Sequence, residues 1–287
     1  MYDDITLLIA QDKHFLMKKS LIFLSIISLS LFYVSCTKDD AQEPDPTAGL
    51  TKLTEGYALG AATKVEVYLE DATLTSGYNK FYLALYDSVS GKRIDQSNIS
   101  LTPMMDMGTM KHSAPYENPA SGNAVDHLYP CSVVFIMSSM GGNWTVKFKI
   151  DNLENNKIGD LTIPVTVTEP AQSRMKSFTS LHDGSKYFVA LIEPSSPKIG
   201  INTMEMAIYK RATMMSFPAD SSLSVIVTPE MPTMGHGSPN NVNPTHIRLG
   251  HYSGKVNFTM TGLWRLNLDY MSGAAVADST QYFDIEF

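Results

Sequence analysis

The sequence predicts an all-β protein built as two tandem immunoglobulin-like β-sandwich domains, preceded by an N-terminal signal and a short linker. Three observations carry this. Val, Ile, Thr, Tyr and Phe are plentiful while helix-favouring charged runs are scarce. Short alternating segments recur between Gly- and Pro-rich turns, about seven in each stretch of roughly a hundred residues. The two halves also repeat one another, which marks a duplicated unit.

In chain order, Met17-Lys18-Lys19 is a short basic start, and residues 21–34 are an apolar run too short for a comfortable membrane span. The run ends at Tyr33-Val34-Ser35-Cys36, which resembles a bacterial lipobox and implies cleavage before Cys36 and lipidation of its thiol. Residues 1–36 therefore read as an upstream extension, a lipoprotein signal peptide and its lipobox. Residues 37–49 read as an acidic, Pro-containing linker. Its first residues, Thr37-Lys38-Asp39-Asp40, resemble an acidic surface-export tag, so the expected location is the outer membrane of a Gram-negative cell envelope.

Residues 50–169 form the first predicted sandwich and 170–287 the second. The first opens with the period-2 segment Lys64–Glu70, matched in the second by Lys186–Ile192. Gly77–Tyr86 matches Gly200–Tyr209, with one face turned inward. The next strands, Ile99–Thr102 and Ser224–Thr228, each enter a loop. The loops continue through Asn118-Pro119 and Asn243-Pro244. Val134–Met137 with Trp144 corresponds to Asn257–Met260 with Trp264, and both Trp read as core packing. Residues 145–150 with 161–168, and 265–270 with 282–287, close the two units.

The 287 residues suffice for two domains, and an apolar fraction of 44% suffices for two cores. A net charge of -7 without a basic stripe argues against nucleic acid as a partner. With Cys36 assigned to lipid, Cys131 has no partner and reads as a buried free thiol. No phosphate-cradling loop, HExxH helix or nucleophile elbow occurs, so no enzyme is expected.

The chemistry concentrates in the duplicated loop. Both copies read Thr-Pro, then Met-x-x-Met-x-His, then Pro. The candidate ligands are Met107, Met110 and His112 in the first copy and Met231, Met234 and His236 in the second, with Met104, Met105, His127, His246 and His251 as additional donors. Thioethers and imidazole are soft donors that suit Cu(I) better than hard cations. The expected cofactor is a copper ion, and the expected partners are the membrane, through the lipid anchor, and a copper-efflux or metal-transfer protein. A metal-free surface interaction or adhesion module is the competing expectation, with the loops as a docking edge.

The Thr-Pro, Met-x-x-Met-x-His and downstream Phe-x-Met…Gly-x-Trp segments resemble the YtkA-like domain family. The resemblance rests on Met231, Met234, His236, Phe258, Met260, Gly262 and Trp264 in the second unit. In the first it rests on Met107, Met110, His112, Phe135, Met137, Gly142 and Trp144. It implies a small extracytoplasmic β-sandwich of a kind found near copper and other heavy-metal transport systems.

Overall fold

A computed structural model describes residues 44–287. The signal segment, Cys36 and most of the 37–49 linker lie outside the described residues. Residues 46–287 form one compact unit containing two β-sandwiches.

The first sandwich comprises β1 (Thr51–Ala58), β2 (Thr63–Leu69), β3 (Leu74–Thr75), β4 (Gly77–Asp87), β5 (Ser97–Asp106), β6 (Lys111–His112), β7 (Tyr116–Glu117), β8 (Tyr129–Phe135), β9 (Asn143–Asn152), β10 (Lys157–Val165) and β11 (Val167–Thr168). The second comprises β12 (Met175–Thr179), β13 (Lys186–Glu193), β14 (Gly200–Lys210), β15 (Leu223–Met231), β16 (His236–Gly237), β17 (Val242–Arg248), β18 (His251–Phe258), β19 (Leu263–Ser272) and β20 (Ala275–Glu286).

The sheet orders are the same in both. β1-β2-β4-β8-β7 faces β10-β9-β5-β6, and β12-β13-β14-β18-β17 faces β20-β19-β15-β16. Alternation along each strand sends one side chain in two to an inner face. The first core gathers Val65, Val67, Phe81, Leu83, Phe135, Trp144, Val146 and Phe148. The second gathers Val189, Met204, Met206, Phe258, Trp264, Leu266, Tyr270 and Phe283.

Small polar residues finish both copies alike. Gly77 and Gly200 open β4 and β14 with φ of 120° and 102°, a left-handed entry that favours glycine. Asn79 and Asn202 then tie back onto that entry through their side-chain amides. The two Asn-Pro pairs have matching roles. Asn118 Oδ1 accepts from Leu101 N–H at 2.9 Å, and Asn243 Oδ1 accepts from Val227 N–H at 3.1 Å. Each side chain supplies the acceptor that a missing neighbouring strand would have offered.

β1, β12 and β17 lie outside the sequence expectation, the last because Asn243-Pro244 is strand and not loop. β1 is an edge strand whose residues are mostly exposed or half-buried, so it lacks the inward-outward alternation by which a strand is read. β5 and β15 also run further than expected. They carry the Thr-Pro segment as strand, so Met104 and Met105 are strand residues and not loop residues. Pro103 and Pro229 are tolerated because each strand has one side free until its last residues.

The outer faces of the two sandwiches pack together through Val134, Met175, Phe188, Ala190, Ala207 and Tyr209. Cys131 is a buried free thiol among the described residues, and burial pushes its pKa up.

Candidate metal centres at the sandwich ends

In the first sandwich β5 and β6 form a hairpin. Met105 pairs with His112 and Asp106 with Lys111. Met107 N–H donates to Met110 O at 2.9 Å, which makes Met107 and Met110 the next rung before the turn at Gly108 and Thr109. Paired residues of a hairpin share a face, and faces alternate along it. Met105, His112, Met107 and Met110 therefore line one face. The Lys111–Asp106 ion pair (2.7 Å) occupies the other, and Lys111 together with the Gly108 N–H holds the Asp106 carboxyl below its usual range.

A short turn, Ser139–Gly141, closes this end from the opposite side. A Cβ placed on Gly141 would lie 2.5 Å from Met137 Cε, 3.7 Å from Met105 Cε and 3.9 Å from Met107 Cε. Three thioether methyls thus gather around one point. Beneath them His112 sets its ring edgewise on Trp144, with centroids 5.4 Å apart. Trp144 Nε1–H donates to Met137 O at 3.0 Å.

The second sandwich repeats the plan with fewer parts. Met231 pairs with His236. His236 stands edgewise to Trp264 at 5.9 Å, and Trp264 Nε1–H donates to Met260 O at 2.9 Å. Met231 O accepts both Met234 N–H and Gly235 N–H, which curls the loop tightly.

The two imidazoles share one tautomer. His112 Nδ1 lies 2.8 Å from Ser113 O and His236 Nδ1 lies 3.0 Å from Gly237 O. A carbonyl only accepts, so Nδ1 carries a proton, and in the neutral ring the lone pair is on Nε2. Among the described residues neither Nε2 has a hydrogen-bond partner. A backbone carbonyl holding one ring nitrogen while the other stays free is the usual preparation of a metal-ligating His.

Several sequence expectations are corrected here. The motif equates Met107 with Met231, because each lies five residues before its His. Strand register instead equates Met105 with Met231, since these pair with Trp144 and are adjacent in register to Trp264. The first hairpin is longer by two residues, six (106–111) against four (232–235). An even insertion keeps the His on the same face. Met105 and Met231 are buried core residues, 0% and 4% exposed, whereas Met107, Met110 and Met234 are open to solvent. Met104 lies on the face opposite Met105.

His127 is bound to Asp95 at the far end of β5, about 30 Å from the hairpin turn at ~3.3 Å per residue. His246 and His251 lie at the far end of the second sandwich from His236. His246 packs on Tyr252, and both nitrogens of His251 are engaged by carboxylates. None of these three joins a Met/His cluster. The residues that the motif reading left out as ligands are Met137 and Met260. Met137 lies 25 positions after His112 and Met260 lies 24 after His236, so only the paired Gly-x-Trp segment points to them.

Gly142 brings the closing turn against the hairpin. A Cβ there would lie 2.4 Å from Asp106 O and 3.1 Å from Met107 Cα. Gly142→Ala is expected to push the two apart and to cost about 1–3 kcal/mol. The shift in urea midpoint checks this.

The sandwiches meet at a second polar cluster. His251, 1% exposed, puts Nε2 2.6 Å from Glu117 Oε1 and Nδ1 2.7 Å from Glu205 Oε1. Tyr209 and Tyr78 hydroxyls also donate to Glu117, each at 2.9 Å. Two carboxylate acceptors require both ring nitrogens to be protonated, so His251 is a cation across the junction. Burial opposes that charge, but the hydrogen bonds to Glu117 and Glu205 outweigh it and raise the His251 pKa. Burial likewise opposes the Glu117 charge. The His251 and Tyr donors overcome it and lower Glu117 to about 2.

Residues 182–269 match the model of the YtkA-like family. That range runs from the turn before β13 into β19 and includes Met231, Met234, His236, Met260 and Trp264. No curated protein matches the chain. Solved structures similar to it include domains 5-6 of the S-layer protein SbsC, at 12% identity, TM-score 0.26, over 81% of this chain and 97% of that one. Invasin, a bacterial integrin-binding protein, matches at 10% identity, TM-score 0.25, over 78% and 39%. A chimeric titin Z1Z2 matches at 8% identity, TM-score 0.21, over 79% and 93%.

Proposed function

We propose that this chain, whose second sandwich is YtkA-like over residues 182–269, binds copper as Cu(I) at the two Met/His ends and buffers it or passes it on. The observation that carries the reading is the duplicated tautomer: each loop His donates Nδ1–H to the next residue's carbonyl and keeps Nε2 free beside thioethers. The donor set fits the ion. Neutral sulfur and imidazole nitrogen suit Cu(I), whereas Zn²⁺ favours thiolate, imidazole and carboxylate, and Ca²⁺ takes oxygen. Among the described residues no group of three His, Cys, Asp or Glu is placed to hold a hard metal, and both nitrogens of His251 are already taken by Glu117 and Glu205.

In the first site His112 Nε2 would hold the ion with Met107, Met110 and Met137. In the second, His236 Nε2 would act with Met234 and Met260. Trp144 and Trp264 orient the rings and keep one side dry. A lipid on Cys36 would hold both sites at the outer membrane, within reach of a metal-transfer partner.

The chain's 2 Trp residues lie one in each site, which makes their fluorescence the readout. Titration with Cu(I) under reducing conditions is expected to quench both, and His112→Ala with His236→Ala is expected to abolish the response. Unchanged quenching in that double variant, or no copper retained by the parent protein in a chelator competition, would leave a metal-free interaction module as the better reading.

A further inference from the structure

The two ends share a plan but not a donor count, and the difference has one cause. The two extra residues of the first hairpin add one complete rung, Met107 opposite Met110, on the face already holding Met105 and His112. The second hairpin turns directly after the Met231–His236 rung. The closing segments differ as well. The first sandwich carries the turn Ser139–Gly141, which gathers the methyls of Met137, Met105 and Met107 around Gly141. Among the described residues the second sandwich has no such turn, and at Gly262, the counterpart of Gly142, Met231 Cε alone lies within 4 Å of a placed Cβ, chain neighbours aside. The segment from Met260 to Trp264 is shorter than that from Met137 to Trp144, and its Gly262 N–H donates to Phe287 O at 2.9 Å. His112 is 4% exposed, and His236 is more open.

We infer that the two ends are unequal sites for a soft monovalent cation, the first the tighter, and that the Met107–Met110 rung is the determinant. The inference rests on the soft-metal reading of both ends. A thioether is a weak neutral donor, so affinity for a soft ion grows with the number that can converge. Methionine is flexible enough to converge at little reorganisation cost. The hairpin rung and closing turn of the first end can bring Met107, Met110 and Met137 towards His112, whereas the second has Met234 on its turn and Met260 on its closing segment to bring towards His236. An ion reaching the chain would settle first at the thioether-rich end and exchange more readily at the other. That order suits a protein that stores on one domain and trades on its neighbour.

The test uses Ag(I), a closed-shell soft cation free of redox chemistry. The Trp264→Phe variant reports the first site through Trp144, and Trp144→Phe reports the second through Trp264. The first is expected to reach its midpoint at a free Ag(I) concentration at least about tenfold lower. Adding Met107→Leu and Met110→Leu, which preserve volume at half-exposed positions, is expected to bring the two midpoints within about threefold. Methyl-labelled methionine NMR on the unsubstituted chain guards against a folding defect in the Trp variants. There Met107 and Met110 signals are expected to shift at lower loading than Met234 and Met260. Equal midpoints with both sites binding would overturn the inference and leave the function standing, as would a first-site midpoint indifferent to the two Leu substitutions. Absence of binding at either Trp would overturn both.

Discussion

His251→Ala is expected to destabilise the described unit by about 3–5 kcal/mol, the range for removing one member of a buried ion pair. The side chain is 1% exposed, and its loss strands Glu117 and Glu205 opposite each other with no cation between them. The reading is a lower urea midpoint. Adding Glu117→Gln and Glu205→Gln is expected to recover much of the loss, because neutral amides tolerate burial without a counter-charge. Failure of that rescue would mean that packing against Tyr78, 5.6 Å from the His251 ring, matters more than the charges.

The same cluster sets a pH dependence. His251 has a raised pKa, so its contribution is complete below the ordinary value of 6.5 and is lost as pH rises through the raised one. Glu117 and Glu205 are lowered, so theirs is complete above the ordinary value of 4.5 and is lost on acidification, for Glu117 towards about 2. Arg248, 3.9 Å from Glu205, favours the ionised carboxylate and works against the imidazolium. The junction is therefore expected to be strongest between about pH 4.5 and 6.5 and to weaken above it. Denaturation midpoints across pH should show that fall in the parent and a flatter profile in His251→Ala.

Trp144→Ala is the other large effect, expected at about 3–5 kcal/mol for a fully buried aromatic truncated to Ala. The ring touches Phe135 at 5.1 Å and His112 at 5.4 Å and donates to Met137 O. Its removal opens a cavity, frees the imidazole and unties the closing segment together. Trp144→Phe keeps most of the volume and loses only the Nε1 donor, so it should cost far less. A small loss in Trp144→Ala would show that the end is open enough for water to fill it.

How much of this was legible in the sequence depends on whether the signal is local. Alternation and turn residues announced most core strands, and the duplication showed because both halves use Gly-x-Asn, Thr-Pro, Asn-Pro and Gly-x-Trp at matching places. The strands without a legible pattern, β1, β12 and β17, sit at sheet edges, where the inward-outward alternation is broken. In the loops, spacing counted backward from the His pairs Met231 with Met107. Pairing across the sheet corrects it to Met105, since only the register onto β9 and β19 shows that one hairpin is longer.

The sequence alone determined the all-β class, the repeat, the buried free thiol and the recurrence of Met and His in a duplicated loop, because each follows from residue type and short-range period. Only the tertiary structure decided which donors share a face, since hairpin pairing brings Met107 opposite Met110 and sends Met104 away. It also decided that His127, His246 and His251 lie at the other ends of their sandwiches. And it revealed the imidazolium between Glu117 and Glu205, whose three residues are remote in the chain and meet only because two sheet faces pack together. Side-chain partnership across sheets is a matter of register and packing, and neither is written in any local stretch of residues.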